Sequence, residues 1–149
     1  MARSTKGFVI RPLKESELGE MVAVWKRAGL PYRCSGRDKM DALKLQRRAM
    51  PDLFLGAFIE GDLVGVVLGT DDTRKGWLNR IAVVPEARGR GIAHALIGAS
   101  EKAFRKRGRR LFCVHIEGYN KESMELFEKE GYLREEDIFY FTKRERKDY

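Results

Sequence analysis

The chain has 149 residues, of which 43% are hydrophobic and 35% are charged, and its formal net charge is +8. This apolar fraction excludes intrinsic disorder, and no apolar run approaches the roughly 18 residues of a membrane span. The length fits a single domain over residues 1–149. The excess of Lys and Arg favours an anionic partner, which could be nucleic acid, anionic lipid or a phosphorylated cofactor.

The predicted elements of the first half are one strand, two helices and a three-stranded meander. A proline closes the first strand, and apolar residues at helical spacing follow an N-cap at Ser16. Short polar turns separate the later strands. The predicted ranges are a strand at 8–12, helices at 16–29 and 38–50, and strands at 54–59, 63–69 and 77–84.

The second half predicts a long helix over 92–106, a strand over 111–117 and a helix over 120–130. Leu133 and residues 138–142 are expected to add final strands, and the basic residues 143–147 a solvated tail. The order is β-α-α-β-β-β-α-β-α-β. It predicts a mixed α/β (α+β) fold with a central sheet of six to seven strands and about four helices. The helix at 92–106 makes a crossover, so the strands that flank it should be parallel neighbours.

A glycine-rich turn between a buried strand and the long helix is the most informative segment. Gly89 and Gly91 allow unusual backbone angles and close approach of a ligand, and Arg88 and Arg90 add positive charge. The free N–H groups of a helix start bind phosphate. Neither the P-loop pattern nor a complete dinucleotide fingerprint is present. We therefore expect a different phosphate-bearing ligand here.

This turn, with its surroundings, resembles the Gcn5-related N-acetyltransferase (GNAT) family. The family motif Gln/Arg-x-x-Gly-x-Gly/Ala is matched by Arg88-Gly89-Arg90-Gly91-Ile92-Ala93. A second family segment, an Asn before a helix that ends near Tyr-Glu-x-x-Gly-Phe, is matched by residues 120–132. The resemblance extends over residues 8–142.

The resemblance implies acetyl-coenzyme A as the co-substrate and no metal. The pyrophosphate would bind the backbone of the turn, the pantetheine would pair with an edge of the preceding strand, and Asn120 would contact the thioester end. Phe127 stands where the family places a tyrosine that protonates the thiolate, so this acid is missing. The residues implied to bind the cofactor are Ile81, Ala82, Val83, Arg88, Gly89, Arg90, Gly91, Ile92, Ala93, Asn120 and Phe127.

The implied reaction is direct attack of a primary amine on the thioester, with the Val83 N–H stabilising the oxyanion by family analogy. His115 and Glu117 lie on one face of the predicted strand and are the candidate bases. Tyr132 is the candidate acid, with Tyr119 and Tyr140 as further substitutes. The loop between the first two helices carries Arg33 and Arg37, which would suit an acceptor with a carboxylate.

Two other functions compete with acetyl transfer to a protein N-terminus, a lysine or a small amine. One is a coenzyme-A-binding sensor without catalysis, suggested by Phe127. The other is nucleic-acid binding through the basic cluster, although no nucleic-acid motif or interleaved aromatic residues accompany it. The cluster comprises Lys102, Arg105, Lys106, Arg107, Arg109 and Arg110.

Location and assembly are also predicted. Residues 1–6 are followed by no apolar stretch, so no secretory signal is expected. Cys34 and Cys113 are too few for a disulfide scaffold, and with His94 and His115 they give no zinc-ligand spacing. We expect a cytoplasmic protein without membrane contact, and possible homodimers because they are common in folds of this type.

Overall fold

A computed structural model describes residues 7–149. The predicted absence of a secretory signal over residues 1–6 lies outside this range. The helices and strands are β1 (Val9–Pro12), α1 (Leu18–Arg27), α2 (Met40–Ala49), β2 (Phe54–Ile59), β3 (Asp62–Asp71), β4 (Gly76–Val83), α3 (Ile92–Lys106), β5 (Phe112–Val114) and α4 (Lys121–Lys129).

One mixed sheet organises the molecule, with the strands in the order β1-β2-β3-β4-β5. The first four pair antiparallel, and β4 pairs parallel with β5. The mixed α/β fold, the four helices and the parallel pair around the α3 crossover are therefore confirmed.

Helices α1 and α3 cover opposite faces of the sheet. The fully buried Val66 and Val67, consecutive on β3, show that both faces are covered. A Cβ at Gly65 would touch Ile92 and Leu96, so this side of β3 meets α3. The core thus has an α1 side, which includes Trp25, and an α3 side.

The sheet has five strands over residues 7–149, not the predicted six to seven. The strand predicted at 111–117 is only Phe112–Val114, and residues 133–149 contain no strand. Because β5 is so short, it offers too little hydrogen-bonding edge for a further strand. Four consecutive apolar side chains, residues 138–141, are exposed instead.

The boundaries of β3 and α1 also differ from the prediction. Strand β3 is longer, and it continues to Asp71. Ser16 does not cap α1, because a 3-10 turn occupies Glu15–Glu17 and the helix begins at Leu18. Glu17 accepts a hydrogen bond from the Lys14 N–H at 2.8 Å and pairs with Arg11 at 2.7 Å. The hydrogen bond from Arg11 holds the pKa of Glu17 down at about 2.

A β-bulge interrupts β4 directly after Leu78, where the parallel pairing of β4 with β5 ends. Leu68 of β3 faces Arg80, but the next residue, Gly69, faces Leu78, so Asn79 is an extra residue. The bulge places Arg80 on the α1 side of the sheet, where its guanidinium lies over the ring of Trp25.

Candidate functional site

The site begins where β4 and β5 separate. The parallel ladder between them has three pairs, from Gly76 with Phe112 to Leu78 with Val114. Beyond Leu78, within the described chain, the β5 side of β4 has no strand partner. Ile81, Ala82 and Val83 lie on this open edge, as the resemblance implied. An extended ligand with amide groups can add to such an edge as a strand would.

The start of α3 lies directly after this edge. A 3-10 turn at Pro85–Ala87 leads to Arg88, and Gly89 and Gly91 both have φ of +80°. The first bond within the helix runs from the Ala95 N–H to the Gly91 oxygen. The amides before Ala95, Ile92 and Ala93 among them, therefore have no helical partner. The first turn contains no acidic residue, so nothing on it competes with an anion.

Arg88 and Arg90 flank this helix start and are both exposed. The Arg88 Nε donates to the Val83 carbonyl oxygen at 3.2 Å, which leaves its two terminal nitrogens available. Neither arginine pairs with a carboxylate of residues 7–149. The open strand edge, the free amides and two guanidinium groups without a carboxylate partner fit a ligand that has both a pantetheine arm and phosphates.

A cavity of about 540 Å³ lies next to Arg90, between α1 and the β2–β3 hairpin. Its charged lining is mainly acidic and includes Glu20, Glu60, Asp62 and Glu86. Carboxylates repel phosphate, so this cavity does not extend the phosphate site.

Asn120 and Phe127 belong to α4. Asn120 caps the helix, and its side-chain oxygen accepts a hydrogen bond from the Ser123 N–H at 3.1 Å. The cap uses only the oxygen and leaves the amide NH₂ to donate to a ligand. Phe127 is buried in the core and packs edge-on against Tyr132, with ring centroids 5.1 Å apart.

Tyr132 does not point into the open region between β4 and β5. Its hydroxyl donates to Glu101 of α3 at 2.8 Å. Glu101 is nine residues after Ile92, about 13 Å along the helix from the phosphate site. Burial and then the Glu101 carboxylate raise the pKa of Tyr132 well above its ordinary value. The Tyr132 hydroxyl therefore links α3 to the chain segment that follows α4.

His115 and Glu117 follow β5 instead of lying on it, and both are exposed. The predicted alternation along one strand is therefore wrong for this pair. The His115 ring packs between Trp77 and Tyr140, with centroids at 4.8 and 4.4 Å. This places His115 near the end of the β4–β5 ladder.

The basic cluster around the end of α3 is partly neutralised within the protein. Arg107 pairs with Asp52 at 2.6 Å and with Asp71 at 3.4 Å, and Arg109 pairs with Asp71 at 2.7 Å. Arg105 lies over the Phe112 ring and 3.8 Å from Glu101. The hydrogen bond from Arg107 lowers the pKa of Asp52. Much of this positive charge therefore stabilises the fold.

Sequence reasoning missed a polar cluster around Arg80. Arg80 bonds to Asp38 and to the Pro31 carbonyl oxygen, both in the α1–α2 loop (residues 28–39). Asp38 is buried and also accepts the Arg33 N–H at 2.6 Å. The partners are far apart in the chain, and no local pattern joins them.

Two further predictions concern absences. Among residues 7–149, no group of three or more His, Cys, Asp or Glu side chains is arranged to hold a metal ion. No helix in this range is both long and apolar enough to cross a membrane.

The profile of the acetyltransferase (GNAT) family matches residues 15–132. Among curated proteins, the chain is 32% identical over 135 residues to acetyltransferase SG1711 of Sodalis glossinidius (strain morsitans), with 91% of this chain and 94% of that protein covered. It is also 32% identical over 136 residues to acetyltransferase plu1384 of Photorhabdus laumondii, with 91% and 94% covered.

Solved structures show the same fold at lower identity. The aminoglycoside acetyltransferase AAC(6')-Iy, in complex with a bisubstrate analogue of coenzyme A, has a TM-score of 0.76 at 20% identity, with 92% of this chain and 98% of that one covered. The PaiA N-acetyltransferase of Thermoplasma acidophilum, in complex with coenzyme A, has a TM-score of 0.72 at 23% identity, with 88% and 92% covered. The family profile and the curated relatives decide the assignment: this chain belongs to the GNAT family and is an acyltransferase that uses acetyl-coenzyme A.

Proposed function

We propose that this enzyme transfers the acetyl group of acetyl-coenzyme A to a primary amine by direct attack in a ternary complex. The observation that carries the proposal is the open edge of β4 next to the uncapped start of α3. Acetyl-coenzyme A supplies an activated thioester, and the chain supplies orientation and hydrogen bonds.

The protein's groups divide this work by position. The amides and arginines of residues 88–93 bind the phosphates, and the edge at Ile81, Ala82 and Val83 aligns the pantetheine. We assign the oxyanion hydrogen bond to the Val83 N–H and removal of the amine proton to His115 or Glu117.

Tyr132 remains our candidate for protonation of the thiolate. Its bond to Glu101 would have to break for this role. The ordinary pKa of a thiol is only about 8.5, so the thiolate can also take its proton from water.

The acceptors named for the structural relatives differ from one another. They include aminoglycosides and, for a relative from Brucella melitensis, the alanine of a ribosomal protein. The shared fold therefore leaves the acceptor class open among small amines, lysines and protein N-termini.

We also propose that residues 1–149 form one domain in the cytoplasm. One sheet and one apolar core support the single domain, and two unpaired cysteines fit a reducing compartment. A homodimer stays a prediction, and the exposed apolar residues 138–141 are a candidate contact.

The proposal is tested by reversing charge at either end of α3. The variant Arg88→Glu/Arg90→Glu changes the phosphate end, and Lys106→Glu/Arg110→Glu makes the same charge change at the other end. By calorimetry, we expect the first to weaken acetyl-coenzyme A binding about 100-fold, because charge-assisted hydrogen bonds are lost. The second should weaken it less than about threefold, through screened long-range charge alone.

Thiol release with a panel of primary amines then measures transfer. An equal loss of affinity for acetyl-coenzyme A in both double variants would contradict the assignment of the phosphate site to residues 88–93. Binding of the cofactor without transfer to any amine would favour the sensor function. Salt-dependent binding of DNA or RNA that only Lys106→Glu/Arg110→Glu abolishes would favour the nucleic-acid function.

A further inference from the structure

Arg80 is held in a confined position on the α1 side of β4. Its guanidinium carbon lies 4.3 Å from the centre of the Trp25 ring. Its Nη2 donates to the Pro31 carbonyl oxygen at 2.5 Å and to Asp38 at 3.1 Å. The side chain keeps 16% of its surface exposed to solvent.

Two donors of this stacked pair have no hydrogen-bond partner in the described chain. They are the Arg80 Nη1 and the Trp25 Nε1, both of which are buried. Buried polar groups in proteins are nearly always paired, because an unpaired donor carries the full cost of its desolvation. Because Nη1 is buried, an acceptor from outside the chain would reach it only after a shift of the Arg80 side chain or of the α1–α2 loop.

The local charge favours an anionic acceptor atom over a neutral one. Asp38 is the carboxylate paired with Arg80, and it is shared with the Arg33 backbone. Burial lowers the pKa of Arg80, and repulsion by Arg37 lowers it further against the opposing effect of Asp38. The charges of Arg80 and Arg37 thus act near one buried carboxylate, that of Asp38, so positive charge exceeds negative charge among these three groups.

Arg80 also lies in the right place to meet the acceptor. It belongs to the part of β4 that β5 leaves unpaired, one residue before Ile81. On the proposed function, the thioester lies along this edge. An amine that attacks there would bring the rest of its molecule towards either face of the sheet, and on the α1 side it meets Arg80.

We propose that Arg80 determines acceptor specificity by binding a carboxylate of the acceptor, so that the substrate is a primary amine that also carries an acid group. This inference rests on the proposed acetyl transfer. A guanidinium with an unpaired N–H is a typical partner of a carboxylate.

The test compares matched acceptors that differ only in charge. Unbranched ω-amino carboxylates with two to six carbons are assayed beside their carboxamides, and the length series finds the spacing between amine and acid. At the best length, we expect kcat/KM for the acid to exceed that for the amide at least tenfold. Arg80→Met should reduce this ratio to below twofold, and Arg80→Lys should retain part of it.

Arg74→Met is the matched control, because it removes an exposed arginine from the turn before β4. It should leave the ratio unchanged. If Arg80 only ties down the α1–α2 loop, Arg80→Met slows acid and amide equally, and that result overturns the proposal.

A measurement on the unaltered protein covers the case in which Arg80→Met does not fold. Propionate should inhibit competitively against the acceptor, and propionamide should not. If propionate does not compete, the proposal is wrong. If acetyl-coenzyme A binds but no amine is acetylated, the proposed function fails instead. Ligand-observed NMR with propionate then still tests Arg80, because propionate should bind the unaltered protein more tightly than it binds Arg80→Lys.

Discussion

The two ends of α3 are both rich in arginine, but their arginines have different partners. At the N-terminal end, Arg88 and Arg90 have no carboxylate partner within residues 7–149, and the helix amides beside them are free. At the C-terminal end, Arg107 and Arg109 are bound by Asp52 and Asp71. Positive charge alone therefore does not identify a binding site. The absence of an internal partner is the informative property.

The largest effect on stability should come from Asp71→Ala. The Asp71 carboxylate is 6% exposed and accepts hydrogen bonds from Arg109 and from the Thr73 N–H. Its loss leaves the partly buried Arg109 without a carboxylate partner, so we expect the free energy of unfolding to fall by about 3 kcal/mol. Urea unfolding measures this loss, and the affinity of the remaining folded protein for acetyl-coenzyme A should not change. A large loss of affinity would remove the distinction between the two ends.

Gly76→Ala tests how tightly the C-terminal end is packed. A Cβ at this position would lie 2.5 Å from the Phe104 ring, so the ring would have to move. We expect a loss of about 2 kcal/mol in the free energy of unfolding from overpacking. Phe104→Leu in the same chain should recover part of it in a double-mutant cycle. Simple additivity of the two losses would show that this contact is not the cause.

Gly89→Ala makes the same substitution at the open end. No atom lies within 4 Å of the added Cβ, but the φ of +80° is unfavourable for alanine. The expected loss of stability is about 1 kcal/mol, from backbone strain alone. Binding of acetyl-coenzyme A should weaken several-fold, unlike in Gly76→Ala. Calorimetry of both alanine variants makes the comparison, and equal affinities would contradict it.

The smallest effect concerns Asp52, whose side chain is 45% exposed. The hydrogen bond from Arg107 lowers the pKa of Asp52 in the folded state. The stabilisation from the Asp52–Arg107 pair is therefore complete above the unfolded pKa of about 3.9. It is lost as the pH falls through the lower pKa that Asp52 has in the folded state. Exposure limits the contribution to less than about 1 kcal/mol. Asp52→Asn should be less stable than the unaltered protein at pH 7, and this difference should shrink as the pH falls below the unfolded pKa of Asp52. A difference that grows in acid would mean that another group is responsible.

Local patterns in the sequence predicted the parts of the structure that depend on local geometry. The apolar spacing of residues 92–106 predicted α3, and the glycines before it predicted the helix start with φ above zero at Gly89 and Gly91. The helix between two apolar strands predicted the parallel β4–β5 pair. The phosphate half of the candidate site follows from these elements.

Pairing between distant residues was not predictable in this way. The largely apolar run at 111–116 is typical of a full strand, but only Phe112–Val114 find a partner. Residues 138–142 have strand composition without a strand partner. Arg107 and Arg109 look like a binding surface until Asp52 and Asp71 are known to meet them. The Arg80–Asp38 pair joins residues 42 positions apart, so neither residue indicates the other.

The β-bulge at Asn79 determines which face of the sheet each later residue of β4 occupies. Side chains alternate between the faces of a strand, so the extra residue resets the alternation for everything that follows it. If β4 ran as a regular strand of the same length, alternation from Leu78 would turn the guanidinium of Arg80 into the apolar layer under α3 and bring Ile81 to the loop side. Deletion of Asn79 would instead remove the extra residue and leave a regular strand, with Leu78 still opposite Gly69 and Arg80 still opposite Leu68. We therefore expect the loss of Asn79 to be tolerated better than the loss of a residue between Arg80 and Val83.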